Sequence, residues 1–263
     1  MTFINANYLP FVALALAAVA GPLGAAHAAD PAPAGTQPAK PVIVLVHGAF
    51  ADGTGWQHVI PLLERDGYTV IAVQNSLTSL DADVATTRRV IEAQKGPVVV
   101  VGHSYGGAVI TGAAADEPGV KALVYLAAFA PESKEPVGVF SDKIPLAKAL
   151  LPDAAGFLYI DRTKFHAVFC ADVPAGEANI MAVTQKPLAS VTFGQSVPSA
   201  AWKTIPSWYL VSQEDQAIDP DLERFYAKRM GAYTSEIKAS HCAFISHPQE
   251  IVKVIEEAAT APA

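Results

Sequence analysis

From Lys40 onward, short β-branched runs alternate with longer stretches in which apolar residues recur at helical spacing. The runs predict strands at 42–46, 69–73, 98–101, 122–127, 208–211 and 235–238, and the periodic stretches predict helices at 56–65, 81–94, 105–115, 219–230 and 248–258. In the last of these, Ile251, Val252 and Ile255 share one face and predict a buried stripe. Strand and helix alternating in this way predict an α/β fold, a doubly wound and mostly parallel sheet of about six strands with helices on both faces. The alternation breaks between 131 and 203, where Pro136, Pro145, Pro152, Pro174, Pro187 and Pro198 interrupt short pieces. This stretch reads as a small helical cap inserted before the penultimate strand, over the carboxyl edge where open α/β sheets bind ligands.

Composition adds an address and removes some partners. The segment from Met1 to Ala28 has no Lys, Arg, Asp or Glu, an apolar run from Leu9 to Ala20, then Gly21-Pro22 and Ala26-His27-Ala28. It reads as a secretory signal cleaved after Ala28, which predicts a secreted or periplasmic protein. The run is shorter than the roughly 20 residues a membrane span needs, so no stable membrane association is expected after cleavage. Residues 29–40, rich in Pro and Ala, read as a flexible linker, and 41–263 as the folded domain. With 263 residues, 51% of them hydrophobic, the chain suffices for one such domain. Its net charge of −7 and lack of a basic patch argue against nucleic acid as a partner. Cys170 and Cys242 are permitted a disulfide in an oxidising compartment, and neither stands at a spacing that predicts a metal site.

The chemistry is signalled where Val98-Val99-Val100-Val101 runs into Gly102-His103-Ser104-Tyr105-Gly106-Gly107. Gly-x-Ser-x-Gly between a strand and a helix is the nucleophile-elbow pattern, in which a sharp, strained turn exposes a serine hydroxyl. The helix that follows brings free N–H groups near that hydroxyl and favours negative charge there. Serine is a poor nucleophile near neutral pH and needs a base, usually oriented by a carboxylate. Two later loops supply candidates. After the 208–211 strand come Glu214, Asp215 and Asp219, and Asp219, just before Pro220, is better explained as a helix cap. After the final strand comes His241, the expected general base. His47, His58, His103, His166 and His247 read as structural, with His47 bracing its turn. The oxyanion donors expected are the backbone N–H groups of Ala49, in the turn after the first strand, and Tyr105. Phe50, Phe140 and Phe165, with the Tyr105 ring and Phe157, are candidates for an apolar substrate pocket.

These motifs, in this order, resemble the α/β-hydrolase superfamily from Pro41 to the C-terminus. In the family the acid stands in a Gly-x-x-Asp pattern; Ser212 takes the glycine place here, which favours Asp215 over Glu214. The stretch from His47-Gly48-Ala49-Phe50 to Trp56 is similar, more narrowly, to the group containing plant methyl esterases and hydroxynitrile lyases. That resemblance implies cleavage of small-molecule esters beneath a compact cap, without a cofactor. The lyases typically carry Thr where Gly48 stands and Lys after the catalytic histidine, where this chain has Cys242. Both departures favour ester hydrolysis. A lyase on the same scaffold and a non-catalytic ligand-binding protein of this fold are the alternatives.

Overall fold

Val98, Val99, Val100 and Val101 are buried on both strand faces, which places this run at the centre of a sheet covered on both sides. The computed structural model describes residues 39–138 and 143–262. The predicted signal, most of the predicted linker and Phe140 lie outside those residues. The central sheet contains β1 (Val42–Val46), β2 (Val70–Val73), β3 (Val98–His103), β4 (Val120–Leu126), β8 (Ser207–Ser212) and β9 (Tyr233–Ile237). They are parallel throughout, in the order β2-β1-β3-β4-β8-β9.

The crossover helices are α1 (Ile60–Arg65), α2 (Leu80–Glu92), α3 (Tyr105–Ala113) and α6 (Pro220–Met230), and α8 (Pro248–Thr260) follows the last strand. Because β-to-β crossovers are right-handed, the reversal of strand order between β1 and β3 sends α1 to one face and α2, α3 and α6 to the other. The packing of α2 on α3 agrees, and packing on α1 places α8 on the first face. The helix ends follow the sequence: Asp219 caps α6 by accepting the Asp221 N–H at 2.9 Å, and Gly231 (φ 63°) closes it.

Parallel strands bring all their carboxyl ends to one edge. There the registers Val46↔Gly102 and Gly102↔Tyr125 align the turns that follow β1, β3 and β4. The β1/β3 pair is also the point where strand order reverses, the place where such sheets leave a crevice.

Between β4 and β8 the segment predicted as helical contains α4 (Phe165–Phe169) and α5 (Ala175–Thr184), together with three short strands. β5 (Leu150–Pro152), β6 (Phe157–Ile160) and β7 (Leu188–Ala189) form an antiparallel sheet. The β5–β6 turn is set by Asp153, whose carboxylate accepts the N–H groups of Ala155 (2.8 Å) and Phe157 (2.9 Å), and by Gly156 at φ 82°. Aromatic and β-branched Phe157-Leu158-Tyr159-Ile160 then suits a pleated strand better than a helix.

Candidate active site

The elbow at Ser104 has the strained backbone that its sequence predicts. Ser104 stands at φ 54°, ψ −124°, between the last residue of β3 and the first of α3. Its N–H donates to Leu126 O (3.2 Å), and its carbonyl accepts from Gly107 (3.0 Å) and Phe129 (3.1 Å). Two bonds to the end of β4 and the loop after it, and one from the first turn of α3, thus hold the outlier in place. Glycine is required at 106, where a Cβ would stand 2.5 Å from the carbonyl oxygen of Val46. The second turn, after β1, carries Phe50 at φ 59°. It comes so near Ser104 that a Cβ on Gly48 would lie 2.8 Å from Ser104 Cβ and 3.0 Å from His103 O.

His241 follows β9 and Asp215 follows β8, and the fold brings them together. His241 Nδ1 lies 2.5 Å from Asp215 Oδ2, with both side chains buried. Asp215 Oδ1 accepts the N–H groups of Ala217 (2.6 Å) and Ile218 (2.9 Å), so the carboxylate is held by three donors. With Nδ1–H given to Asp215, Nε2 is left as an acceptor. It is buried and has no hydrogen-bond partner among the described residues. The Ser104 hydroxyl is not bonded to it in this resting arrangement; contacts of this kind commonly tighten only around substrate. Glu214, the competing acid, is exposed and faces Lys238 at 3.7 Å.

The N–H groups of Ala49 and Tyr105 sit in the two facing turns, and no acceptor among the described residues takes either one. His47 braces the first turn. Its Nδ1 bonds to Gly48 O (2.8 Å) and its Nε2 accepts the Asn75 N–H (3.0 Å), while burial holds the imidazole below the usual histidine range.

Among the pocket candidates, Phe50 lines a cleft with Ala51, Met181, Gln185 and Phe244, between the oxyanion turn and α5. Tyr105 turns its ring into the core instead, where its hydroxyl donates to Asp83 at 2.9 Å. Phe165 is likewise fully buried, and its ring packs on Phe169, 5.0 Å away between centroids. Phe157 lies on β6, in the cap sheet.

Phe169 is the aromatic residue that sequence reasoning missed. Its ring stands 5.1 Å from His241, 6.5 Å from His103 and 6.3 Å from Phe50. One further group escaped notice. Asp172 accepts the Ser240 N–H (3.1 Å), the Ser240 hydroxyl and the Ser246 hydroxyl (2.9 Å), which ties the cap to the loop carrying His241. No signal in one sequence pairs Asp172 with these serines. Cys170 and Cys242, to which the sequence permits a disulfide, are both buried free thiols.

The family model described as "Alpha/beta hydrolase family" matches residues 43–254. The chain belongs to that family. The hydrolase is 28% identical to a pyrethroid hydrolase from Sphingobium wenxiniae, over 84% of this chain and 88% of the relative. It is 25% identical to a carbendazim-hydrolysing esterase from a Nocardioides species, over 80% and 96% respectively. Among solved structures it is similar to the pyrethroid hydrolase of Sphingobium faniae, with a TM-score of 0.72 at 24% identity, covering 84% of this chain and 98% of that one. Among the described residues, no helix of the hydrolase is long and apolar enough to cross a membrane.

Proposed function

We propose that the hydrolase is a serine carboxylesterase that cleaves small-molecule esters through an acyl-enzyme. The chain is a carboxylic ester hydrolase, and the observation that carries the finer reading is the buried His241–Asp215 pair, in which His241 Nε2 is left unpartnered at the sheet edge where the strained turn holds Ser104. In this scheme Ser104 gives its hydroxyl proton to His241 Nε2 as Oγ bonds to the ester carbonyl carbon. The N–H groups of Ala49 and Tyr105 hold the oxyanion. Collapse breaks the bond to the alcohol oxygen, which leaves with the proton from His241. The same imidazole then takes a proton from water as the water oxygen bonds to the acyl carbon, and returns that proton to Ser104 Oγ as the acyl–Oγ bond breaks and the acid leaves.

Gly48 supports hydrolysis over lyase chemistry, because the threonine typical of the lyases would push its Cβ against Ser104. Phe50, Met181 and Phe244 beside the oxyanion turn favour esters with an apolar acyl or alcohol part. The names of the relatives, a pyrethroid hydrolase and a carbendazim-hydrolysing esterase, accord with that class.

Ser104→Ala and His241→Ala should each remove nearly all hydrolysis of a short-chain nitrophenyl ester while circular dichroism stays unchanged. Full activity in a folded Ser104→Ala protein would falsify the scheme. Export to the periplasm or medium is part of the proposal and rests on residues 1–28. N-terminal sequencing of protein from an osmotic-shock fraction checks it; a retained Met1 overturns it.

A further inference from the structure

The scheme above leaves unused one buried carboxyl group that lies against Asp215. Glu223, in the first turn of α6, is fully buried. Its Oε2 accepts the Ser212 N–H at 3.0 Å, while Oε1 has no donor among the described residues. Ser212 joins it to Asp215: the Ser212 carbonyl accepts the Asp215 N–H at 3.2 Å, so the two acids flank one buried residue and the Asp215 charge acts on Glu223. Two ionised carboxylates shut away from water side by side repel, and a proton on one of them relieves that.

The geometry says which of them holds the proton. Asp215 already accepts three N–H groups, from Ala217, Ile218 and His241, so its lone pairs are committed as acceptors. Glu223 accepts one. The other polar groups around it supply no compensating cation. Tyr209, on β8, donates its hydroxyl to Ala128 O, and the neighbouring Arg224 turns outward to Asp221 and Glu236, both at 2.8 Å. Burial first, and then the Asp215 charge, push the Glu223 carboxyl well above its ordinary range.

We propose that Glu223 is a positioning residue, a protonated carboxyl that donates to Asp215 and fixes that carboxylate toward His241 Nδ1 with one negative charge behind the imidazole. The proposal rests on the reading of Ser104, His241 and Asp215 given above. Without the donor, Asp215 is free to rotate, and misplacement of this kind costs turnover rather than substrate binding.

The test compares Glu223→Gln, which keeps a donor for Asp215 and an oxygen for Ser212, with Glu223→Met, which keeps neither. The readouts are kcat, KM and the pH profile of kcat/KM on a nitrophenyl ester. Glu223→Gln should hold kcat within about threefold and leave the acid limb in place, whereas Glu223→Met should lose about 10- to 100-fold in kcat at similar KM. If Glu223 is ionised in the native enzyme, the glutamine variant removes a charge near His241 and its acid limb moves to lower pH. That shift overturns the proposal, as does wild-type kcat in a folded Glu223→Met.

Thermal unfolding gives a second reading that needs no activity. A carboxyl held protonated in the folded state makes the wild type lose stability as pH rises above about 4.3, where the unfolded chain releases the proton. The melting temperature of Glu223→Gln should therefore gain on the wild type between pH 4 and 8, and a constant difference overturns the protonated state. If Ser104→Ala stays active, the reading of the triad fails while this melting test of Glu223 still stands.

Discussion

His103 donates its Nε2 hydrogen to the backbone carbonyl of His241, 3.0 Å away, so the residue before Ser104 holds the loop of the proposed base. The two rings also meet at a tilt of 54°, 4.5 Å between centroids, with Phe244 at the same distance from His103. His103→Phe keeps an aromatic ring and removes the donor. We expect kcat to fall about fivefold at nearly constant KM, in line with the roughly 1 kcal/mol typical of one such bond. Steady-state kinetics on the nitrophenyl ester checks it, and a change confined to KM would show that His103 acts on binding instead.

The same histidine gives the enzyme a pH-dependent stability. Burial first, and then the nearby His241, hold the His103 imidazole well below its ordinary range, and burial does the same for His47. The folded protein keeps both neutral while the unfolded chain takes up protons below about pH 6.5. Stability is therefore complete above that pH and falls with acid, by up to about 1.4 kcal/mol per pH unit for each imidazole. Urea unfolding at pH 7.5, 6.5 and 5.5 should show this slope, and His103→Gln should remove about half of it.

Gly48 sets how near the oxyanion turn comes to the nucleophile. Gly48→Ala puts a methyl group 2.8 Å from Ser104 Cβ, so the turn must move. Overpacking of this kind costs about 1–3 kcal/mol of stability. We expect kcat to drop about 10²- to 10³-fold, the usual effect of losing one oxyanion donor. A variant that melts lower but turns over normally would separate the Gly48 contact from the placement of Ala49.

Asp172 clasps the cap to the base-carrying loop through Ser240 and Ser246. Its carboxyl is raised by burial but held below the usual range overall by those hydrogen bonds. Asp172→Ala leaves three donors without their acceptor, which costs about 1–3 kcal/mol where they remain buried. A lower melting temperature and a smaller kcat are expected together, and Asp172→Asn should recover part of each.

Cys170 and Cys242 join the same two segments as free thiols, and burial, then the hydrogen bond to Cys170, push the Cys242 thiol well up. Neither should react with a thiol-specific disulfide reagent in the native enzyme, and both should in denaturant. One reactive thiol in the folded protein would show that the cap opens there.

The sequence carried its information unevenly. β1 and β3 were plain because each holds four apolar β-branched residues within five positions, and α6 because Asp219-Pro220 opens it and Gly231 closes it. β9 begins two residues before and ends one residue before the expected span: Tyr233-Thr234-Ser235-Glu236 forms an exposed edge whose place is set by pairing with β8, which hydropathy does not record. The cap hairpin was missed although Asp153 and Gly156 announce its turn, because prolines spread along the segment obscured the strand pattern.

By itself the sequence determined the class of fold and marked the residues proposed to carry chemistry at its edge. Strand runs, a Gly-x-Ser-x-Gly turn, and Asp215 and His241 after later strands are local patterns, written in residues that are neighbours along the chain. Only the tertiary structure decided that Asp215 rather than Glu214 meets His241, that Phe169 rather than Phe165 faces the base, and that Glu223, Asp172 and His103 surround the pair. The reason is physical: burial and hydrogen bonding between segments up to 138 residues apart are products of packing, and no local pattern encodes them.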